Sequence, residues 1–168
     1  WSVIRHTENG EVLLNKYASA NLYLNNKDYY LTSYNGAWAK EMRPVETHLR
    51  QGMHTIETRL GTRANLLTSP NFMLSLDGKS TETTGTVMLG QIAWNGNFAM
   101  QFETDVFKNL HIVAGINPYQ SAYHRKPKTP FERHVLFIRY LLRVMEKEAA
   151  ICKTGCEATC LWMVRAIV

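Results

Sequence analysis

Apolar and polar residues alternate one by one along most of this chain, and that period of two predicts strands rather than helices. Phe98, Met100 and Phe102 are separated by Ala99, Gln101 and Glu103, so a strand there sends its large apolar side chains to one face. Before it, the apolar run Val87–Trp94 meets Asn95-Gly96, a dipeptide suited to the positive-φ positions of a type I′ turn, which predicts a hairpin. Lys108-Asn109 marks a second turn. Leu110, Ile112 and Ala114 then alternate with His111 and Val113, so the expectation is a meander of three strands. Pro118 has no amide hydrogen to donate and closes the stretch.

The chain upstream has the same texture. Trp1–Leu14 predicts two strands about a turn at Glu8–Glu11. Ala18, Ala20, Leu22 and Leu24 form an alternating strand, and Tyr29–Tyr34 is expected to return beside it across a turn at Asn25–Asp28. Asn35-Gly36 is a further turn signal, followed by strands over Val45–Gln51 and His54–Leu60 and an irregular loop over Gly61–Pro70. Phe72, Leu74 and Leu76 alternate into Asp77-Gly78, and Lys79–Thr84 is a polar loop. Short alternating segments punctuated by Gly, Asn, Asp and Pro are the pattern of an all-β, antiparallel sandwich, and 168 residues suffice for one such core. Helical spacing enters only late, where Phe131, Val135, Ile138, Leu142 and Met145 predict a basic helix over 131–145.

Composition changes this picture in one place. Residues 1–124 carry ten Lys and Arg against ten Asp and Glu, whereas residues 125–168 carry nine against four. The whole net charge of +5 and all of Cys152, Cys156 and Cys160 therefore belong to the last quarter. We expect a boundary there, with a sandwich over 1–124 and a distinct tail over 125–168. No apolar run approaches the ~18 residues of a membrane span, and no charged-then-apolar leader opens the chain. Trp1 in place of Met leads us to expect that the natural start lies upstream.

Candidate chemistry in the body is sparse. His48, His54, His111 and His124 lack the spacing of metal ligands, and surface or structural roles account for them. Glu41 with Glu46, or Glu57 with Glu103, are the pairs to weigh as acid and base for glycosidic cleavage. Exposed strand carboxylates are common, so the bland reading outweighs this one. Ser69 sits in no nucleophile elbow, and no glycine-rich phosphate loop occurs. Tyr29, Tyr30, Tyr34, Trp38, Trp94 and Tyr119 suggest either a sugar-stacking platform or, with more weight, filling between two sheets. We expect no catalytic residue, metal site or cofactor within the chain.

Five short motifs occur in order: N-G-A-W-A-K-E (35–41), T-R-L-G (58–61), S-P-N-F (69–72), W-N-G-N-F (94–98) and A-G-I-N-P-Y (114–119). Together they resemble the amino-terminal domain of bacterial melibiase-type α-galactosidases, where G-x-W-x-x-E, S-R-G-x-S-S-H before Pro-Phe, Y-S-G-N-F and G-I-N-P-F stand in the same order. The resemblance covers roughly Arg5–His124. It singles out Gly36, Trp38, Glu41, Arg59, Gly61, Pro70, Phe72, Gly96, Asn97, Phe98, Gly115, Asn117 and Pro118 as signature positions of structural character. Arg63-Ala64-Asn65 replaces the family's S-S-H, which sets apart the role of that loop near a sugar.

The resemblance implies a parent enzyme with a β-sandwich, a catalytic barrel and a small carboxy-terminal β-domain. That parent would hydrolyse terminal α-galactosides with retention, using two Asp of the barrel. On this reading the chain is a non-catalytic fragment that enters the sandwich partway, inactive alone. Its partner is the barrel domain, homo-oligomerisation belongs to the parent, and neither nucleic acid nor membrane is bound. The parent is bacterial, and cytoplasmic, periplasmic and secreted locations stay open. A stand-alone carbohydrate-binding sandwich is the alternative.

The tail fits neither the sandwich nor the family. Its cysteines read literally as a metal or redox site, and its charge as a nucleic-acid or membrane patch. The genetic code offers a simpler account. One base inserted into a permitted codon for Arg125 yields H-L-K-A-E-N-T-F-R-T, family-like text. The unique codons of Trp162 and Met163, read in that frame, force Asp-Gly. The expectation is a single-base deletion near Arg125, an out-of-frame tail that is helical or disordered, and a sandwich edge left without its strand.

Overall fold

The computed structural model describes residues 3–61, 67–94, 96–119, 122–128, 130–132 and 136–142. Among the described residues are thirteen strands: β1 (Val3–Ile4), β2 (Val12–Leu14), β3 (Ala20–Asn25), β4 (Tyr29–Ala37), β5 (Lys40–His48), β6 (Gly52–Glu57), β7 (Thr68–Leu76), β8 (Thr86–Ile92), β9 (Phe98–Thr104), β10 (Asn109–Ile116), β11 (Tyr123–Arg125), β12 (Phe131–Glu132) and β13 (Leu136–Leu142). They build a four-stranded sheet in the order β3-β10-β9-β6 and a five-stranded sheet in the order β13-β8-β7-β4-β5. Two short ribbons, β1-β12 and β2-β11, complete the described strands. Pairing is antiparallel throughout, as the alternation requires.

The core lies between the two larger sheets. Phe98, Met100 and Phe102 of β9 and Leu110, Ile112 and Ala114 of β10 are fully buried, while the intervening residues face outward. From the other sheet come Tyr29, Leu31, Phe72, Leu74, Leu76, Met88 and Ile92. Phe72 and Phe102 meet edge to face with centroids 5.1 Å apart, the favoured geometry for two rings across a sandwich. Gly90 lies beneath that ring: a Cβ there would fall 2.2 Å from Phe72.

Several turns differ from the sequence expectation, and two of them join different sheets. β3 and β4 do not form a hairpin, since β4 pairs with β5 and β7 in the other sheet. The connection Asn26–Asp28 is a crossover locked by Tyr29, whose hydroxyl accepts from the Asn26 amide at 2.7 Å and donates to the Leu24 carbonyl at 3.1 Å. Asp77 clamps it from outside, accepting from Lys27 N at 2.8 Å and Asn26 Nδ2 at 3.0 Å. β8 and β9 likewise belong to different sheets, so Asn95-Gly96 bridges layers and the expected meander reduces to the β9-β10 hairpin. Asn95 itself lies outside the described residues.

Asn35-Gly36 runs inside β4, and the chain reverses instead between Ala37 and Lys40, which are paired. Ala39 supplies the left-handed conformation with φ 58°. Pro44 sits within β5, tolerated because β5 is an edge strand.

The expected helix over 131–145 is also corrected. Residues 136–142 are β13, paired with β8 from Leu136↔Ile92 to Leu142↔Thr86, so the edge expected to be bare is occupied. β-branched and aromatic residues here tolerate an extended backbone, and an unpaired run of amides and carbonyls on β8 supplies the template. Cys152, Cys156 and Cys160 lie outside the described residues.

Candidate functional site

Three of the five motifs converge at one corner of the four-stranded sheet. The ends of β6, β9 and β10 meet there, tied by side-chain amides. Asn97 accepts from Gly61 N at 2.6 Å through Oδ1, and its carbonyl accepts from Asn117 N at 3.0 Å. The buried Asn117 donates through Nδ2 to Glu57 Oε2 at 3.1 Å and to the Thr58 carbonyl at 3.2 Å, and accepts from Tyr119 N at 2.9 Å. An amide side chain suits this place because it offers donors and acceptors in one plane. Pro118 follows and turns the chain outward, placing Tyr119 against Arg59, whose guanidinium carbon lies 4.9 Å from the ring centroid. Arg59 Nη2 also donates to Glu57 Oε1 at 2.9 Å.

Beside this corner lies a cleft of about 350 Å³ on the outer face of the four-stranded sheet. Its floor is Ala99, Gln101, Val113 and Gly115, the outward positions of β9 and β10. One wall is Glu57, Arg59 and Tyr119, and the other is Lys16-Tyr17-Ala18. That second wall exists because the chain between β2 and β3 crosses over Gly115. A Cβ there would meet the Tyr17 carbonyl at 2.9 Å and Ser19 N at 3.1 Å, so only glycine permits the crossing. Burial, with the neighbouring Tyr123 phenol, pushes the Tyr17 hydroxyl above its ordinary range.

The remaining signature positions lie elsewhere. Gly36, Trp38 and Glu41 are at the β4-β5 hairpin, where Trp38 is 95% exposed. Pro70 and Phe72 are in β7, Phe72 in the core. Gly96 packs against the Trp94 indole, and Phe98 is buried. Arg63-Ala64-Asn65 lie outside the described residues. The six aromatic candidates form no single platform. Tyr29 is core, Tyr30 stacks on His48 at 4.5 Å, Tyr34 lies in β4 opposite Pro44, Trp94 packs against the core, Trp38 is at the hairpin tip and Tyr119 at the cleft.

The weighed carboxylates do not pair. Glu57 is opposite Ala99 and Glu103 opposite Met53, four positions along the ladder, which is roughly 14 Å at ~3.4 Å per residue. Glycosidic acid and base lie ~5–9.5 Å apart. Glu46 is held by Lys79, and Glu41 is five residues away along the same strand, across the irregularity between Lys40 and Arg43. Of the histidines, His48 contacts Asp28 at 2.7 Å, His111 contacts Asn21 at 2.6 Å and His124 contacts Glu11 at 3.3 Å. Among the described residues no three metal-donor side chains cluster. Sequence reading missed Lys16, Tyr17 and Gln101. The outward register of Gln101 was legible from the alternation of β9, but nothing local announces that 16–18 cross above Gly115.

Comparison with known proteins places this corner in context. The family model described as the glycosyl hydrolase family 36 N-terminal domain matches residues 1–125. Alpha-galactosidase 2 of Pediococcus pentosaceus is 27% identical over 131 residues, covering 78% of this chain and 18% of the relative. Alpha-galactosidase Mel36A of Lactobacillus acidophilus is 28% identical over 129 residues, covering 77% and 17%. The chain thus spans less than a fifth of the length of these curated relatives. Among solved structures, the α-galactosidase from Lactobacillus brevis superposes with a TM-score of 0.77 at 26% identity, over 85% of this chain and 19% of that one. AgaA from Geobacillus stearothermophilus gives 0.77 at 22% identity, over 84% and 20%, a likeness of fold.

Proposed function

The chain belongs to the glycosyl hydrolase family 36 N-terminal domain family, and from that membership we propose that it serves as part of the non-catalytic β-sandwich flanking the catalytic domain of an α-galactosidase. The observation that carries this reading is the family match over residues 1–125, in company with relatives named as α-galactosidases. On this reading, hydrolysis of terminal α-galactosides belongs to a barrel domain that is the sandwich's partner, and any homo-oligomer is a property of the whole enzyme. The separation of Glu57 from Glu103 supports the same division of labour. Incubated with p-nitrophenyl α-galactoside, the purified chain is expected to release no nitrophenol above buffer. Turnover that follows the chain through purification and is lost in Glu57→Gln would overturn the proposal.

The out-of-frame origin of residues 125–168 belongs to the same proposal. It is supported by the codon argument and by the family match, which stops at residue 125. Sequencing the gene through the codon for Arg125 in a close natural isolate tests it. An isolate whose sequence restores H-L-K-A-E-N-T-F-R-T by one added base is the expected result, and an identical frame in every isolate is the contrary one.

A further inference from the structure

We infer that the cleft between Arg59-Tyr119 and Lys16-Tyr17, on the outer face of the four-stranded sheet, is a binding site for a neutral pyranoside. The inference goes beyond the proposed function and does not depend on it, because it rests on the chemistry of the cleft. Its volume of about 350 Å³ stands at the small end of the ~300–1,000 Å³ typical of ligand pockets, which suits one or two sugar rings.

The floor is low and largely apolar, with Ala99 and Val113 leaving room for a flat ring, and Gln101 is the polar group among them. Tyr119, 43% exposed, stands at the rim with the Arg59 guanidinium on its ring, and Tyr17 forms the opposite wall. Aromatic walls offer their π faces to the C–H-rich face of a pyranose, while hydroxyls at the ring's edge need groups that both donate and accept.

Those groups are ranged side by side. Glu57 accepts one bond on each carboxylate oxygen and has further lone pairs. Arg59 uses Nη2 toward Glu57 and carries four more N–H donors. The Gln101 amide lies two residues along β9 from Ala99, the partner of Glu57 in the ladder. A carboxylate, a guanidinium and an amide lining one cleft offer vicinal hydroxyls both donors and acceptors.

The same lining argues against an anion. Glu57 shares its wall with Arg59, which is already its ion pair, so the wall carries a carboxylate beside its guanidinium. A carboxylate or phosphate entering beside Glu57 meets a like charge. A neutral polyol meets no such repulsion and finds hydrogen-bonding groups with capacity left.

The test is titration of the full 168-residue chain with methyl α-galactoside and methyl α-glucoside, followed by calorimetry and by the side-chain amide resonances of Gln101 and Asn117. Saturable binding of either glycoside is expected. It should weaken about tenfold or more in Tyr119→Ala and in Gln101→Ala, and be unchanged in Trp38→Ala at the distant hairpin. Circular dichroism of each variant confirms the fold. Absence of saturation up to ~10 mM overturns the site. So does loss of binding in Trp38→Ala with retention in Tyr119→Ala. Tighter binding of galacturonate than of the neutral glycosides overturns the assignment of ligand class.

Discussion

A methyl group added at Gly90 would lie 2.2 Å from the Phe72 ring, which is itself wedged against Phe102. Gly90→Ala is therefore expected to lower stability by about 2–3 kcal/mol, the cost of overpacking a filled core, as read from urea unfolding. Asp77 shows a different kind of dependence. The Lys27 amide first, then the Asn26 side chain, hold its carboxyl below the usual range. Its folded pKa is depressed, so its contribution is present above the ordinary value near ~3.9 and fades as pH falls through the lower folded value. Asp77→Asn, which tolerates the local φ of 62°, is expected to cost about 1 kcal/mol near neutrality. The gap between variant and parent should close in acid, which unfolding curves at both pH values will measure. Individual burial was largely legible from sequence: Phe98, Met100, Phe102, Leu110, Ile112 and Ala114 are inward as alternation implies. The constraint on Gly90 was not, because it comes from a residue of the neighbouring strand.

At the level of elements, strands were easier to read than their partners. Val87–Ile92, Tyr29–Tyr34 and Phe72–Leu76 all lie in strands, yet the links from β3 to β4 and from β8 to β9 join different sheets. A turn residue reports that the backbone bends sharply. Whether the next strand lies beside the last or across the core depends on side chains far away, such as Tyr29 reaching back to Leu24. The candidate cleft suffers the same limit, since its motifs are legible but the wall at 16–18 is a crossing of distant segments. The β4-β5 hairpin carries its own test. Ala39 occupies φ 58° at the turn. Ala39→Gly should raise stability by about 0.5–1 kcal/mol, since glycine adopts that conformation without a Cβ penalty; a thermal melt showing no increase would exclude strain at this turn.

On the scale of the whole molecule, the core cluster among residues of described burial extends from Ala20 to Ala114, and the described strands run on to Leu142. Removing residues 126–168 should therefore keep the β circular dichroism signal. The same deletion strips β13 from β8, and a newly bare edge should associate with copies of itself, visible as concentration-dependent sedimentation. A strictly monomeric shortened chain would show that β13 does not guard that edge. The order of the strands has a further effect on how the protein comes into being. Successive segments shuttle between layers, from β3 to β4 and β5, back to β6, over to β7 and β8, and back to β9 and β10. Neither layer is a contiguous stretch of polypeptide. A nascent chain leaving the ribosome holds its early strands without their neighbours until β10 has emerged, so folding is late, all at once and slow, and in the interval the chain is a natural client for chaperones.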